Sequence, residues 1–269
     1  MNNVTTAWKL TLQKILGEGA LVSPRGQLTR ELQHHTFSCD MTDPVVRSPE
    51  RALSYKFLAA EALWILAGDE TVAGIAPYNQ HIAQFSDDGK TFFGAYGPRV
   101  VAQLDYVVKA LVDDPGTRQA VLTTWRTNPP KTRDVPCTVA LAFVLRNGLI
   151  HCHVFMRSSD AWLGLPYDAF NFSMIAAKVA CMYNARTASG VRLGALYLTA
   201  ASSHLYERNF DSAVRCFIEP NSQVSLGTAL QDLVSQGDWQ SIDDSLVACR
   251  DNHARQWAKP WVIRPTVMP

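Results

Sequence analysis

The sequence contains no run of apolar residues approaching the ~18 that a membrane span requires, so no spanning helix is expected. Met1 to Lys14 lacks the charged head, apolar middle and cleavage site of a secretory signal. Surplus charge is missing too. There are 25 lysines and arginines against 24 aspartates and glutamates, a formal net charge of +1. No global field suited to nucleic acid results, although a local arginine cluster could still hold one phosphate. None of the six cysteines (Cys39, Cys137, Cys152, Cys181, Cys216, Cys249) forms a C-x-x-C pair, and no spacing suggests zinc. Repeats and low-complexity segments are absent. These absences lead us to expect a cytoplasmic protein with free thiols, no metal, and neither a membrane nor a nucleic-acid partner.

What is present is ample apolar material: 47% of 269 residues are hydrophobic. That suffices for a sizeable core, and no linker divides the chain, so residues 1–269 are expected to form one domain. Residues 5–16 read as a helix closed by Gly17, and Ser23 to Gln27 as a loop. Ser48-Pro49-Glu50 reads as the start of a helix running to Ala67 and stopped by Gly68. Residues 99–112 carry apolar side chains at helical spacing. Ala120–Trp125 reads as a strand, as do Thr138–Arg146 and Leu149–Arg157, the last two joined at Asn147-Gly148, a strong hairpin signal. Further on, a helix is expected over Ala169–Tyr183, a strand over Leu193–Thr199, and helices over Ser203–Phe217 and Ser225–Gln236. Without βαβ alternation, the pattern implies an α+β fold with an antiparallel or mixed sheet.

Chemistry concentrates around Val135-Pro136-Cys137-Thr138. Cys137 follows a proline at the mouth of one strand, and Arg157 stands twenty positions later at the end of the return strand. A guanidinium beside a thiol lowers its pKa and raises the thiolate fraction. This geometry suits a nucleophile, but a buried structural thiol would fit it as well.

The next segment decides between them. Arg157-Ser158-Ser159-Asp160-Ala161-Trp162-Leu163-Gly164-Leu165-Pro166-Tyr167-Asp168 resembles the R-S-x-D-x-x-L-G-x-P-[FY]-N signature of the thymidylate synthase family, which follows an active cysteine at this spacing. Glu61 to Asp69 resembles the family's E-L-L-W-F-L-x-G-D helix, Gly94 to Gly97 its G-P-x-Y-G loop, Thr117 to Trp125 its S-R-R…W strand, and Ser203 to Tyr206 its T-H-L-Y segment. The match covers roughly residues 50 to 215, and the last fifty residues match poorly.

The resemblance implies a mixed sheet covered by helices, dimerising through the sheet, and a one-carbon transfer from 5,10-methylenetetrahydrofolate to C5 of a pyrimidine nucleotide. Cys137 would add to C6 of the base. Glu61 would organise water and proton transfer, and Tyr96 would help remove the C5 proton. Arg25, Arg157 and Ser158 would hold the phosphate, with Arg118 supplied by the other subunit of a homodimer. His204 and Tyr206 would bond the sugar hydroxyl. Asp160, Leu163, Gly164 and Phe85 would border the folate. The family closes its C-terminus over the site, but Trp261 to Pro269 does not visibly match.

Two departures bear on substrate and product. Asp168 stands where the family's asparagine reads uracil. A carboxyl group can accept from cytosine's 4-amino group and, when protonated, donate to N3. Asp at this position is also what the deoxycytidylate hydroxymethylase branch resembles. Second, Tyr78 to Phe85 contains no tryptophan, and Ala83 stands where the first folate-covering tryptophan is expected. A less shielded intermediate admits water, which gives hydroxymethyl rather than methyl. Gln119, Met156, Thr138 and Ala200-Ala201-Ser202 depart from the family as well. The expected activity is deoxycytidylate 5-hydroxymethylation. The alternatives are a dCMP or dUMP methylase, a CMP or dUMP hydroxymethylase, and a non-catalytic nucleotide- or RNA-binding regulator.

Overall fold

The computed structural model describes residues 2–218 and 227–251. The elements run α1 (Val4–Glu18), β1 (Ala20–Val22), β2 (Thr29–Asp40), α2 (Tyr55–Leu66), α3 (Val72–Ile75), α4 (Gly97–Asp113), β3 (Val121–Thr123), β4 (Thr138–Arg146), β5 (Leu149–Met156), β6 (Ser159–Asp160), α5 (Leu165–Thr187), β7 (Arg192–Tyr206), α6 (Phe210–Arg215), α7 (Gly227–Gln236) and α8 (Trp239–Asp251). Strand order is β1-β2-β7-β5-β4-β3, with β6 pairing β7. The sheet is mixed: β5 and β6 run parallel to β7, and the remaining pairs are antiparallel.

Local sequence explains most elements. Asn3 caps α1 by accepting from the Thr6 amide at 2.9 Å, and Val4, Trp8, Leu12 and Ile15 lie on its buried face. Asn147 (φ 53°) and Gly148 (φ 72°) form the expected two-residue turn, setting Arg146 opposite Leu149 and Thr138 opposite Met156. Along β4 and β5, Leu141, Phe143, Leu145, Ile150, Cys152 and Val154 are buried. The central helix α5 packs on β5 and β7, and α1 lies beside it on β2. On the opposite face Val144, His151, His153, Phe155 and Tyr197 stay partly or fully exposed in the single chain. Among the described residues no helix is long and apolar enough to cross a membrane.

The structure corrects several boundaries. Ser48 does begin a turn, accepting from the Arg51 amide at 3.2 Å, but Ala52 turns left-handed (φ 44°) and ends it. Helix α2 starts instead behind Ser54, whose hydroxyl accepts from the Phe57 amide. Ser203–Tyr206 is not helical. It extends β7, because His204 is held between Glu31 of β2 and Asp160 of β6; only Phe210–Arg215 of the expected helix forms. Helix α5 runs longer than expected at both ends, and the strand expected over Ala120–Trp125 shrinks to Val121–Thr123. The twelve-residue β2 had no counterpart in the sequence reading. Part of the helix expected from Ser225, and all of Trp261 to Pro269, lie outside the described residues.

Candidate active site

The β4–β5 hairpin places the nucleophile. Its register ends at Thr138 opposite Met156, and the Arg157 amide then donates to the Cys137 carbonyl at 2.9 Å. The Arg157 guanidinium clamps the cysteine loop, donating to the carbonyls of Pro136 and Val135 at 2.9 Å each and reaching the Cys137 thiol at 3.7 Å. These bonds turn the twenty-residue spacing into contact.

Cys137 faces a cleft of about 340 Å³. Glu61 and Trp64 come to it from α2, Tyr96 from the start of α4, and Asp168 and Asn171 from the first turns of α5. Ser158, Asp160 and Gly164 line it from the segment after β5, as does Phe85 from the short helical turn Gln80–Phe85. The carboxyl of Asp160 also accepts from the amides of Trp162 and Leu163 at 2.9 Å, shaping that turn. Leu163 itself is largely solvent-facing and does not line the cleft. Among the described residues no group of histidine, cysteine and carboxylate side chains is gathered that could hold a metal.

Burial dominates the electrostatics. Asp168 is partly open to the cleft but closely surrounded by protein, and its pKa lies well above the usual carboxylate range, raised by burial and then by the nearby charges of Glu61 and Asp160. Its surroundings thus favour the protonated form, and no hydrogen-bond partner engages its carboxyl among the described residues. Burial also pushes Glu61 up to about 7, opposed by the Asn171 amide, which donates to Glu61 Oε2 at 2.7 Å. Tyr96 keeps its proton, chiefly through burial, and its hydroxyl accepts from the Thr138 amide at 3.2 Å and the Thr138 hydroxyl at 2.9 Å. The thiol corrects the sequence reading. Arg157 does pull the Cys137 pKa down, but burial outweighs it and the net shift is upward. A thiol seated this deeply is protonated until substrate changes its surroundings.

The remaining expected residues stand around the rim or away from it. His204 lies opposite Asp160 in the β6–β7 pairing, its buried Nδ1 has no partner among the described residues, and its ring meets Tyr206 edge-on at 5.2 Å. Arg25 is exposed on the turn Pro24–Gly26, which precedes the pairing of Thr29 with Tyr206. Arg118 is exposed and has no bonded partner among the described residues. Val121 pairs with Ala142, and Arg146 donates to the Gly116 carbonyl at 3.1 Å, so Arg118 lies at the hairpin end of β4. Cys137 is at the other end, roughly 25 Å away at ~3.3 Å per residue.

Asn171 and Asp134 were missed by the sequence reading. Asn171 was legible in principle, one helical turn beyond Asp168 on the same face. Asp134 stands three residues before Cys137, in a stretch with no periodic signal. The aromatic lining also qualifies the tryptophan argument: Phe85, Trp64 and Phe92 all border the cleft, though Phe85 is 47% exposed.

Known proteins are similar to this chain in sequence. Residues 6–232 match the thymidylate synthase family. A deoxyuridylate hydroxymethyltransferase of Bacillus phage SP01 is 31% identical over 242 residues, covering 81% of this chain but only 61% of the phage protein's length. A thymidylate synthase of Buchnera aphidicola subsp. Baizongia pistaciae (strain Bp) is 25% identical over 222 residues, covering 77% of this chain and 81% of that one. With the match spanning most of the sequence and including every motif around the cysteine cleft, this chain belongs to the thymidylate synthase family.

Proposed function

We propose that this protein transfers a one-carbon unit from 5,10-methylenetetrahydrofolate to C5 of deoxycytidylate, and that water completes the reaction to give 5-hydroxymethyl-dCMP and tetrahydrofolate. The Asp168 carboxyl carries this reading: it lines the Cys137 cleft, has no hydrogen-bond partner among the described residues, and is biased by burial toward its protonated form. Cys137 gives up its thiol proton through the ionised Glu61 carboxylate, bound for the departing folate nitrogen, as its sulfur adds to C6 of the base, and negative charge develops toward N3. On cytosine that charge is strongly basic, and the proton of Asp168 neutralises it while the other carboxyl oxygen accepts from the 4-amino group. C5, now electron-rich, forms its new bond to the methylene carbon that the folate supplies. The protonated Tyr96 hydroxyl, oriented by Thr138, positions the water that takes the C5 proton. The aromatic wall of Phe85, Phe92 and Trp64, with the Asp160 carboxyl at its edge, suits a flat heterocycle that carries amino groups. Departure of the folate nitrogen leaves an exocyclic methylene on C5, to which water adds before Cys137 leaves C6.

The hydroxymethyl outcome is supported by the lack of tryptophan between Tyr78 and Phe85 and by the name of the phage relative. That name also favours a second reading, hydroxymethylation of deoxyuridylate. A neutral Asp168 can donate to O4 of uracil and accept from its N3–H, so hydrogen bonding alone does not exclude this base. Mass spectrometry of product from dCMP, CMP and dUMP, each incubated with methylenetetrahydrofolate, separates the readings. We expect a gain of formaldehyde's mass on dCMP. Gain of a single methylene would overturn the product, and turnover of dUMP alone would overturn the base.

We propose further that the enzyme works as a homodimer paired through the open sheet face, each subunit lending Arg118 to the other's nucleotide phosphate. Arg118 is too far from Cys137 of its own chain to share a substrate with it.

Glu61 yields a pH prediction with opposite signs for function and stability. Its folded pKa is raised, so the folded chain holds this proton more tightly than the unfolded chain. The stability it contributes is therefore complete below the unfolded value of about 4.3 and is lost as pH rises through about 7. Activity should instead rise through about 7, as the ionised form accepts the Asn171 amide and relays protons. Glu61→Gln is expected to raise the Tm by a few degrees at pH 8, with no gain at pH 4, while removing the rise in kcat/KM. Unchanged pH profiles of both would count against the assignment.

A further inference from the structure

Among the described residues four carboxyl groups line the cleft: Glu61, Asp134, Asp160 and Asp168. Three are accounted for above, and Asp134 is not. Its position is built rather than incidental. Asp134 Oδ2 accepts from the Gly94 amide at 2.7 Å. A Cβ added at Gly94 would lie 2.6 Å from the Asp134 carbonyl and 2.8 Å from its Oδ1, so only glycine lets the two segments approach this closely. Next door, Arg133 donates to the Ser86 carbonyl, and both its amide and its Nε donate to Asp87 Oδ1 at 3.2 Å. The loop that carries the nucleophile is thus fastened to the segment that carries Phe85 and Phe92. Asp134 stands where the two meet, with Cys137 three residues along on one side and the aromatic wall on the other.

We propose that Asp134 is the general base that activates the water adding to the exocyclic methylene. This rests on the hydroxymethyl reading. Once folate has left, the space beside the aromatic wall is open, and Asp134 borders it. Glu61 is less suited to that water: its Oε2 is taken by Asn171, and it lies beside Asp168 at the base-recognising end. In the step, the water oxygen bonds to the methylene carbon and the water proton passes to the Asp134 carboxylate. The π pair of the exocyclic double bond shifts into the ring. Re-formation of C5=C6 expels the Cys137 thiolate, which recovers a proton from Asp134. Nothing is oxidised or reduced, and both residues return to their starting forms. Burial raises the basicity of Asp134, which suits the task.

The test is Asp134→Asn, whose amide oxygen can still accept from Gly94. Two steps are followed in a single turnover with dCMP tritiated at C5: release of tritium, which precedes hydration, and formation of hydroxymethyl product. We expect tritium release within about two-fold of wild type and hydroxymethyl formation slower by about 100-fold. In the presence of 2-mercaptoethanol, the stalled methylene should be captured as a thioether visible by mass. Gly94→Ala, which must displace Asp134, should yield the same thioether. Hydroxymethyl formation at the wild-type rate would overturn the role of Asp134 alone, as would parallel loss of both steps. A methyl product from the wild-type enzyme would overturn the hydroxymethyl reading and this role together.

Discussion

Asp168→Asn is expected to reverse the base preference, lowering kcat/KM for dCMP by about 10³-fold while leaving dUMP turnover equal or improved. The reason lies in proton transfer rather than in pairing. An amide can turn to match either base: its NH2 faces N3 of cytosine or O4 of uracil, and its carbonyl takes the neighbouring N–H. Binding of both nucleotides should therefore survive. Addition of Cys137 to C6 of uracil leaves charge on O4, which an amide N–H stabilises adequately. Addition to cytosine leaves charge on N3, which needs a full proton, and an amide has none to give. Asp168 can have one because burial and the charges of Glu61 and Asp160 favour its protonated form. Steady-state kinetics on both nucleotides check the prediction. An equal loss on dCMP and dUMP would mean that Asp168 supports the site without choosing the base.

Cys137→Ala should abolish turnover, with a loss of at least about 10⁴-fold, because no other thiol lines the cleft among the described residues to form the C6 bond. Nucleotide affinity should change little, since the proposed phosphate and base contacts use other residues. The upward-shifted thiol adds a further expectation: alkylation of Cys137 should be slow in the free enzyme and should quicken with pH. Arg118→Ala should also be inactive, and the two variants should rescue each other. In an equal mixture of dimers, half are hybrids with one intact site each, so about a quarter of wild-type activity should return. Rescue cannot occur if each site is built within one chain, and its absence would overturn the shared site.

Both predictions draw on residues that the sequence identified, but not equally on what the sequence determined. The nucleophile and its arginine were legible because the code there is local. Period-two alternation fixes β4 and β5, Asn147-Gly148 fixes the turn, and together they fix the register that joins Cys137 to Arg157. The helices were legible where an apolar stripe repeats, as in α1 and α4. Strand β2 and the far end of β7 were not, because their extended form depends on partners more than 150 residues away, as Glu31 pairs with His204. A local reading of Ser203 to Phe217 therefore finds a helix, and the neighbouring strands overrule it. The same holds for the chemistry. The sequence named Glu61, Cys137 and Asp168 by their motifs. Only the folded chain decided that the Asp168 pKa is raised, that Glu61 is held by Asn171, and that the Cys137 pKa is raised rather than lowered. It also placed Asp134 on the cleft wall and Arg118 at the far end of the sheet. Burial and long-range register are properties of the packed whole, and protonation states follow from burial. Residue identity was written locally, but the state in which each residue works was set by what the fold packs around it.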